Sequence, residues 1–256
     1  MIAEKEGIFP IKQSTKEFFK MNVALVIAGG VGHRMGQDLP KQFLNVYDKP
    51  VIIYTLEAFQ RHPLIDAIEV VCLDGWESIL RAYCRQFNIS KLENIVPGGE
   101  NGQSSIRNGV FDIAERYSSD DLILIHDAIR PMVSEEIISD CIRTTLKYGN
   151  AIAAIPCAEA MLKTENGVYS NTQIHRDKLK RTQTPQAATV GELVQAHRDA
   201  LARGITESVS TSTLFVELGK TVYFSSGSEK NVKLTTVEDI EIFKALLSAK
   251  RDQWLK

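Results

Sequence analysis

Short apolar runs alternate with helix-like segments through residues 22–155, and this alternation restricts the possible folds more than any other feature. The predicted strands are Val23–Ile27, Ala67–Leu73, Asn94–Pro97, Leu122–His126 and Ala151–Ile155. The predicted helices are Pro50–Gln60, Trp76–Phe87, Gln103–Tyr117 and Ser134–Tyr148. Strands joined through helices pair in parallel with right-handed crossovers. We therefore predict an α/β fold, a Rossmann-like and mainly parallel sheet with helices on both faces.

The pattern changes after Pro156, where polar residues surround Glu165-Asn166-Gly167. An Asn-Gly pair favours a tight turn, so we predict two short strands within Met161–Arg176. A polar hairpin buries little area alone and needs another surface to pack on. We interpret residues 157–177 as a protruding β-hairpin arm for dimerisation. A solvated flap over the site is the alternative.

The remaining segments complete a single domain over residues 21–256, a length that one α/β core can organise. They are predicted as a helix Val190–Arg203, an irregular Ser/Thr-rich run Ser208–Thr213, a strand Thr221–Ser225 and a helix Thr236–Ser248. Residues 1–20 form an N-terminal extension that lacks the apolar centre of a signal peptide. We assign this extension no function.

A glycine-rich loop, Ala28-Gly29-Gly30-Val31-Gly32-His33-Arg34-Met35, follows the first predicted strand, and Pro40-Lys41-Gln42-Phe43 comes shortly after it. Glycines let backbone N–H groups approach a phosphate chain, and Arg34 and Lys41 add positive charge. The pattern predicts a nucleotide-triphosphate loop. Neither a dinucleotide fingerprint nor a Walker loop fits it, because the helix-opening third glycine and the Lys-Ser/Thr pair are missing. A glycine-rich turn that binds nothing is the remaining alternative.

Two more loops follow predicted strands. Pro97-Gly98-Gly99 leads to a helix expected to start at Ser104 or Ser105, and free N–H groups at a helix start suit anions or base edges. In His126-Asp127-Ala128-Ile129-Arg130, Asp127 suits a divalent cation or a sugar hydroxyl, and Arg130 suits an anion. The alternative is a turn cap paired with a surface arginine. Because parallel strands end at one edge, we expect all three loops to converge.

Two basic segments lie further along the chain. Lys178 and Lys180 belong to a polar stretch that extends to Gln186, and we interpret both as solvated. Lys233 lies in Asn231–Thr236, just before the last predicted helix. We interpret Lys233 as a buried strand residue, which is unusual for lysine unless an anion binds beside it.

Composition excludes several classes of protein. The net charge of −2 provides no basic excess for nucleic acid. The four cysteines, Cys72, Cys84, Cys141 and Cys157, lack metal-site spacing and indicate reduced thiols of a cytoplasmic protein. No apolar run reaches the roughly 18–20 residues that cross a bilayer, so we expect no membrane partner.

Six motifs occur here in the order found in one family. They are Ala28–Met35, Pro40–Phe43, Gly98-Gly99 with Ser105, His126–Pro131, Thr184–Gln186 and Asn231–Thr236. In these motifs the chain resembles the cytidylyltransferases that act on 2-C-methyl-D-erythritol 4-phosphate and their relatives that act on ribitol 5-phosphate. The resemblance extends from Met21 to about Ala249.

The resemblance implies that CTP and a polyol phosphate react, with Mg²⁺, to give a CDP-polyol and pyrophosphate. The implied enzyme is a homodimer with interlocked arms. Its implied catalytic cations are Arg34, Lys41 and Lys233. Its implied nucleotide-binding residues are Ala28, Gly29, Gly30, Gly32, Gly98, Gly99 and Ser105. Its implied substrate-binding residues are Asp127, which is also the metal ligand, Arg130, Thr184 and Arg176, which would reach the substrate phosphate of the partner subunit.

Two segments depart from the family pattern on the acceptor side. Glu159-Ala160 stands where the family commonly has Asp-Thr, and Val209-Ser210-Thr211 stands where it commonly has Thr-Asp. A buried polar contact is worth about 1–3 kcal/mol of discrimination. The acceptor therefore stays open between methylerythritol phosphate and a pentitol phosphate such as ribitol 5-phosphate, which the departures favour. A nucleotide-binding regulatory or scaffold protein without turnover is the alternative from another class.

Overall fold

The computed structural model describes residues 21–30 and 39–254, with side chains described as far as residue 249. The predicted N-terminal extension, Gly32 and Arg34 lie outside these residues. None of the described helices is long and apolar enough to cross a membrane. All four cysteines are buried, and none of them forms a disulfide.

The described strands lie between Asn22 and Ser226. They are β1 (Asn22–Ala28), β2 (Asn45–Val46), β3 (Lys49–Pro50), β4 (Ala67–Cys72), β5 (Leu92–Pro97), β6 (Leu122–Asp127), β7 (Asn150–Pro156), β8 (Met161–Lys163), β9 (Thr172–Ile174), β10 (Lys180–Thr189) and β11 (Phe224–Ser226). Seven of them form one sheet in the order β11-β7-β10-β6-β1-β4-β5. Only β10 runs antiparallel to its two neighbours in this sheet, so the predicted mainly parallel sheet is confirmed.

Helices cover both faces of the sheet, also as predicted. They are α1 (Val51–Arg61), α2 (Glu77–Gln86), α3 (Gly102–Arg116), α4 (Glu135–Tyr148), α5 (Val190–Ala202), α6 (Thr211–Glu217) and α7 (Val237–Trp254). Alternate residues of β1 point to opposite faces. Ala24 and Val26 pack with residues of α1, α2 and α4, whereas Val23 and Leu25 pack with residues of α3, α5 and α6. A Cβ on Gly109 of α3 would lie 2.5 Å from a Leu25 methyl carbon, so glycine permits this close packing.

Lys178 and Lys180 are exposed, as predicted, but the polar stretch that they begin continues into an unpredicted strand, β10. Its first residues, Lys180 and Arg181, are exposed, but its second half is buried between β6 and β7. The ladder to β7 shifts register between Thr182 and Gln186, beside the cis peptide bond that precedes Pro185. This strand has exposed charged residues at one end and an irregular middle. Its sequence therefore does not show the residue pattern by which strands are predicted.

The Ser/Thr-rich run is a helix start and not an irregular segment. Ser210 caps α6, because its hydroxyl accepts from Thr213 N at 3.3 Å while the Thr213 hydroxyl accepts from Ser210 N at 2.9 Å. Such reciprocal caps are a strong local signal for a helix N-terminus. The prediction of irregular structure over Ser208–Thr213 is therefore wrong from Thr211 onward.

The predicted hairpin is present, with β8 antiparallel to β9. Its connection spans residues 164–171 and is longer than the tight Asn-Gly turn that we predicted. Within it, Gly167 has a φ of +73°, and the Asn166 side chain accepts from Val168 N at 3.0 Å. Local side-chain bonds thus shape this turn where strand pairing has already ended.

Candidate active site

Loops that follow β1, β5 and β6 meet around one cavity of about 730 Å³. The predicted site residues that line it are Ala28, Gly29, Gly30, Lys41, Gly99, Ser105, Asp127, Arg130, Thr184 and Lys233. The cavity lies at the carboxyl edge of the parallel strands, where open α/β sheets bind ligands. The predicted convergence of the three loops is therefore confirmed.

The first two glycine-rich loops touch each other. A Cβ on Gly29 would lie 3.3 Å from Gly98 Cα and 3.3 Å from the Ser105 hydroxyl oxygen. Gly99 N donates to that same hydroxyl at 2.9 Å. Helix α3 begins at Gly102, capped by the side chain of Asn101, and not at Ser104 or Ser105 as predicted. Gly98 thus supports the cavity wall through Gly29, whereas Ser105 lines the cavity itself.

A carboxylate lies between two cations in the lining of the same cavity. Asp127 Oδ1 accepts from Lys233 Nζ at 3.1 Å, and Asp127 Oδ2 accepts from Arg130 Nε at 3.0 Å. Burial opposes ionisation of Asp127, but the charges of Lys233 and Arg130 outweigh it and lower the pKa of Asp127 below its ordinary value. At neutral pH the cluster has a net positive charge, which suits an anionic ligand.

Lys233 is not the buried strand residue that we predicted. It lies outside the strands, and its side chain is 44% exposed. Its neighbour Leu234 is buried, and Leu234 N donates to Ile129 O at 2.9 Å. That anchor holds the segment against the core and leaves the Lys233 ammonium at the cavity, in contact with Asp127.

Thr184 has two protein partners for its hydroxyl group. His126 Nε2 lies 3.2 Å from the carbonyl oxygen of Arg130, which can only accept, so Nε2 carries the proton. Burial lowers the pKa of His126 to about 4, so the ring is neutral and Nδ1 is an acceptor. The Thr184 hydroxyl donates to Nδ1 at 3.0 Å and accepts from Asp127 N at 3.1 Å. It keeps one free lone pair and has no proton left to donate to a substrate.

Arg176 lies apart from the cavity of its own chain. It belongs to a short 3-10 helix, Arg176–Lys178, at the base of the hairpin. Its Nη1 donates to Ala158 O at 2.6 Å, across that base. Its implied role in a partner's site stays a prediction, as do the roles of Gly32 and Arg34 outside the described residues.

Several lining residues had no role assigned from the sequence. They are Gln42, Gln186, Ser210, Thr211 and Thr213. Neither glutamine has a charge or a position in a periodic pattern that marks it in the sequence. Their burial becomes evident only in the folded structure. For Ser210 and Thr211, the sequence signal was the departure of Val209-Ser210-Thr211 from the family pattern on the acceptor side.

These features place the chain in the Rossmann-like α/β class, with a polar, cation-bearing cavity at the ligand-binding edge of the sheet. The model of the IspD family, 2-C-methyl-D-erythritol 4-phosphate cytidylyltransferase, matches residues 22–249. The chain belongs to this family.

Known relatives bear two different names. The chain is 44% identical over 232 residues to a ribitol-5-phosphate cytidylyltransferase of Lacticaseibacillus paracasei, covering 90% of this chain and 99% of that protein. It is 35% identical over 229 residues to a 2-C-methyl-D-erythritol 4-phosphate cytidylyltransferase of Clostridium acetobutylicum, covering 89% and 97%. A crystal structure of 4-diphosphocytidyl-2C-methyl-D-erythritol synthase from Anaerococcus prevotii shares the fold, with a TM-score of 0.79 at 24% identity over 93% of this chain and all of that one.

Proposed function

We propose that this chain transfers CMP from CTP to ribitol 5-phosphate, giving CDP-ribitol and pyrophosphate. The 44% identity to the Lacticaseibacillus ribitol-5-phosphate cytidylyltransferase, across nearly the full length of both chains, carries the proposal. The cavity adds physical support, since its glycine-rich loops, Lys41 and Lys233 suit a triphosphate.

The chemistry needs charge neutralisation more than a nucleophile from the protein. A phosphate oxygen of the acceptor attacks the α-phosphorus of CTP, and the bond to the pyrophosphate oxygen breaks. The acceptor phosphate is already ionised near neutral pH, so it needs no general base. Lys41 and Lys233 line the same cavity and would bind the anions that come together there, with Arg34 as a third cation.

The acceptor wall is rich in hydroxyl groups. Ser210, Thr211 and Thr213 line the cavity together with Asp127 and Arg130. A polyol offers several hydroxyl groups, each able to donate and accept, and such groups match both hydroxyl and carboxylate side chains. Arg130 would bind phosphate with its guanidinium group.

Asp127 fits the proposed Mg²⁺. Mg²⁺ in nucleotide enzymes commonly binds one or two carboxylates together with substrate phosphates. The described residues contain no cluster of three His, Cys, Asp or Glu side chains that could hold a metal ion. Bound there, Mg²⁺ would supply positive charge to the phosphate oxygens, while Asp127 stays ionised beside Lys233 and Arg130.

We propose that the chain acts as a homodimer through the hairpin arm, residues 157–177. Three apolar side chains of this arm are largely exposed: Leu162 at 63%, Val168 at 85% and Tyr169 at 71%. Exposed apolar clusters on a protruding element are typical of a protein interface. Docking of the arm on a second subunit would cover them and bring Arg176 towards the other subunit.

Methylerythritol phosphate is the second candidate acceptor, favoured by the matched family model and by the Clostridium relative. Both acceptors are polyol phosphates, but ribitol 5-phosphate has a five-carbon chain with four free hydroxyl groups, whereas methylerythritol phosphate has a four-carbon chain with three free hydroxyl groups and a branching methyl group. Val209 also lines the cavity, beside the capped start of α6, and it is 90% exposed.

The test is release of pyrophosphate by the full chain with Mg²⁺, each of the four nucleoside triphosphates and ribitol 5-phosphate. Of the four nucleoside triphosphates, we expect only CTP to be turned over, and only when ribitol 5-phosphate is present. CTP binding without turnover on any polyol phosphate would support the regulatory alternative and contradict the proposal.

A further inference from the structure

We propose that Gln42 is a positioning residue that holds Ala28–Gly30, the start of the glycine-rich loop, and Lys41 in place for the triphosphate of CTP. This inference rests on the proposed function, in which Gln42 was not assigned to either substrate.

Gln42 joins two carbonyl groups on either side of Gly29. Its side-chain nitrogen donates to Ala28 O at 2.8 Å and to Gly30 O at 3.0 Å. Gln42 is 2% exposed, so water does not compete for these bonds. One amide group therefore uses both of its protons on the backbone that begins the glycine-rich loop.

The bonds matter because of the ligand charge. Carbonyl oxygens that faced the cavity would repel a triphosphate, whereas N–H groups attract it. In a trans peptide the C=O and the N–H point to opposite sides. A bond from Gln42 to Ala28 O therefore directs the N–H of Gly29 away from Gln42. The same amide also binds the two carbonyl oxygens, and this reduces their repulsion of the phosphates.

Gln42 also links this backbone to Lys41. Both belong to the 3-10 helix Lys41–Phe43, in which Phe43 N donates to Pro40 O at 2.8 Å. Phe43 is buried, and its ring stacks on Trp76 at a centroid distance of 4.5 Å. The helix is thus anchored to the core through Phe43 and to the start of the glycine-rich loop through Gln42, and these two anchors fix the backbone position of Lys41.

The chain offers a matched control in Asn150. Its side chain also joins two backbone groups, donating to Thr221 O at 3.0 Å and accepting from Tyr223 N at 3.1 Å. Asn150 is buried at the amino end of β7, the edge of the sheet opposite to the cavity. Loss of its amide removes a similar pair of bonds without touching the site.

The experiment compares Gln42→Met, Gln42→His and Asn150→Leu in the full chain. Calorimetry gives the Kd for CTP with Mg²⁺, a melting curve gives Tm, and initial rates give KM for CTP and for the polyol phosphate. We expect Gln42→Met to raise the CTP Kd and KM about tenfold or more, with KM for the polyol phosphate within about twofold. Gln42→His, which keeps one N–H donor, should have an intermediate effect. Asn150→Leu should lower Tm and leave the Kd within about twofold.

Two results would overturn the inference. One is a Gln42→Met protein that binds CTP like the parent while its Tm falls as in Asn150→Leu, which would make Gln42 merely structural. The other, available if the Met variant does not fold, is a Gln42→His protein with parental CTP affinity. Failure of the parent chain itself to bind CTP would instead contradict the proposed function.

Discussion

At the scale of single residues, the two lysines that line the described cavity, Lys41 and Lys233, have the largest expected effect on the reaction. Lys41→Ala and Lys233→Ala should each lower kcat about 100-fold or more, because each removes a charge that would stabilise the phosphates in the transition state. Lys230→Ala, an exposed lysine close to Lys233 in sequence, is the matched control and should leave kcat unchanged. Unchanged kcat in Lys233→Ala would contradict its assignment as a catalytic residue.

Thr184 is expected to act through Asp127 and His126. Thr184→Val keeps the shape but loses the bonds to both, so we expect about 1–2 kcal/mol lower stability together with a lower kcat. Thr184→Ser keeps the hydroxyl group and should have the stability and the kcat of the parent. Thr145→Val removes a buried hydroxyl that donates to Cys141 O at 2.9 Å within α4, and it should lower stability alone. A parental kcat in Thr184→Val would show that the hydroxyl does not position Asp127.

At the scale of elements, α5 contains a buried histidine whose charge affects stability. His197 packs against Phe111 of α3, and neither ring nitrogen has a hydrogen-bond partner among the described residues. Burial lowers the pKa of His197 to about 4, from 6.5 in the unfolded chain. The unfolded state therefore binds the proton more tightly, and stability is lost as pH falls through this range.

We expect His197→Leu to remove that loss. At pH 5 the unfavourable proton linkage of the parent histidine is about 2 kcal/mol, so the free energy of unfolding should rise by about that amount in the variant. At pH 8 the gain should be smaller, from the unpartnered nitrogens alone. Urea unfolding at both pH values measures it. His62→Leu is the contrast, because His62 Nε2 bonds to Ser139 at 3.0 Å, and this variant should lose stability at pH 8. An equal change at both pH values in His197→Leu would contradict the account.

Sequence patterns predicted the elements that hydrophobic periodicity alone determines. The run at Val23–Ile27 became β1, one residue longer at each end, and the run at Leu122–His126 became β6, one residue longer at its carboxyl end. Both runs were recognisable because buried parallel strands are nearly continuous apolar runs. Strand β10 was not predicted, because charges occupy its exposed end and its buried glutamines resemble loop residues. Its burial depends on β6 and β7, which are distant in sequence.

The site was predicted to a similar degree and with a similar limit. From glycine-rich loops and charged residues at strand ends, the sequence predicted that Gly29, Asp127 and Arg130 lie at one edge of the sheet, and all three line the cavity there. The pairing of Asp127 with Lys233, which are separated by a long stretch of chain, depends on how the last segment packs against Ile129. Gln42 was missed because a hydrogen bond from a side-chain amide to a backbone carbonyl group cannot be recognised in the sequence.

At the scale of the whole molecule, the arm should control the oligomeric state. Leu162→Glu together with Tyr169→Glu places charges where the proposed interface buries apolar surface, so we expect a monomer in light scattering. Leu201→Glu, at a 49% exposed leucine of α5 outside the arm, should leave the dimer intact. A parent chain that is monomeric at micromolar concentration would contradict the interpretation of residues 157–177 as a dimerisation arm.

The whole account depends most directly on which acceptor takes CMP. The decisive measurement mixes the chain with CTP, Mg²⁺ and equal concentrations of ribitol 5-phosphate and methylerythritol phosphate, and quantifies both CDP-polyols by mass spectrometry. We predict CDP-ribitol in excess by about 100-fold or more, since the hydroxyl and shape contacts of the acceptor wall each contribute about 1–3 kcal/mol. Predominant CDP-methylerythritol, or neither product despite bound CTP, would contradict the account.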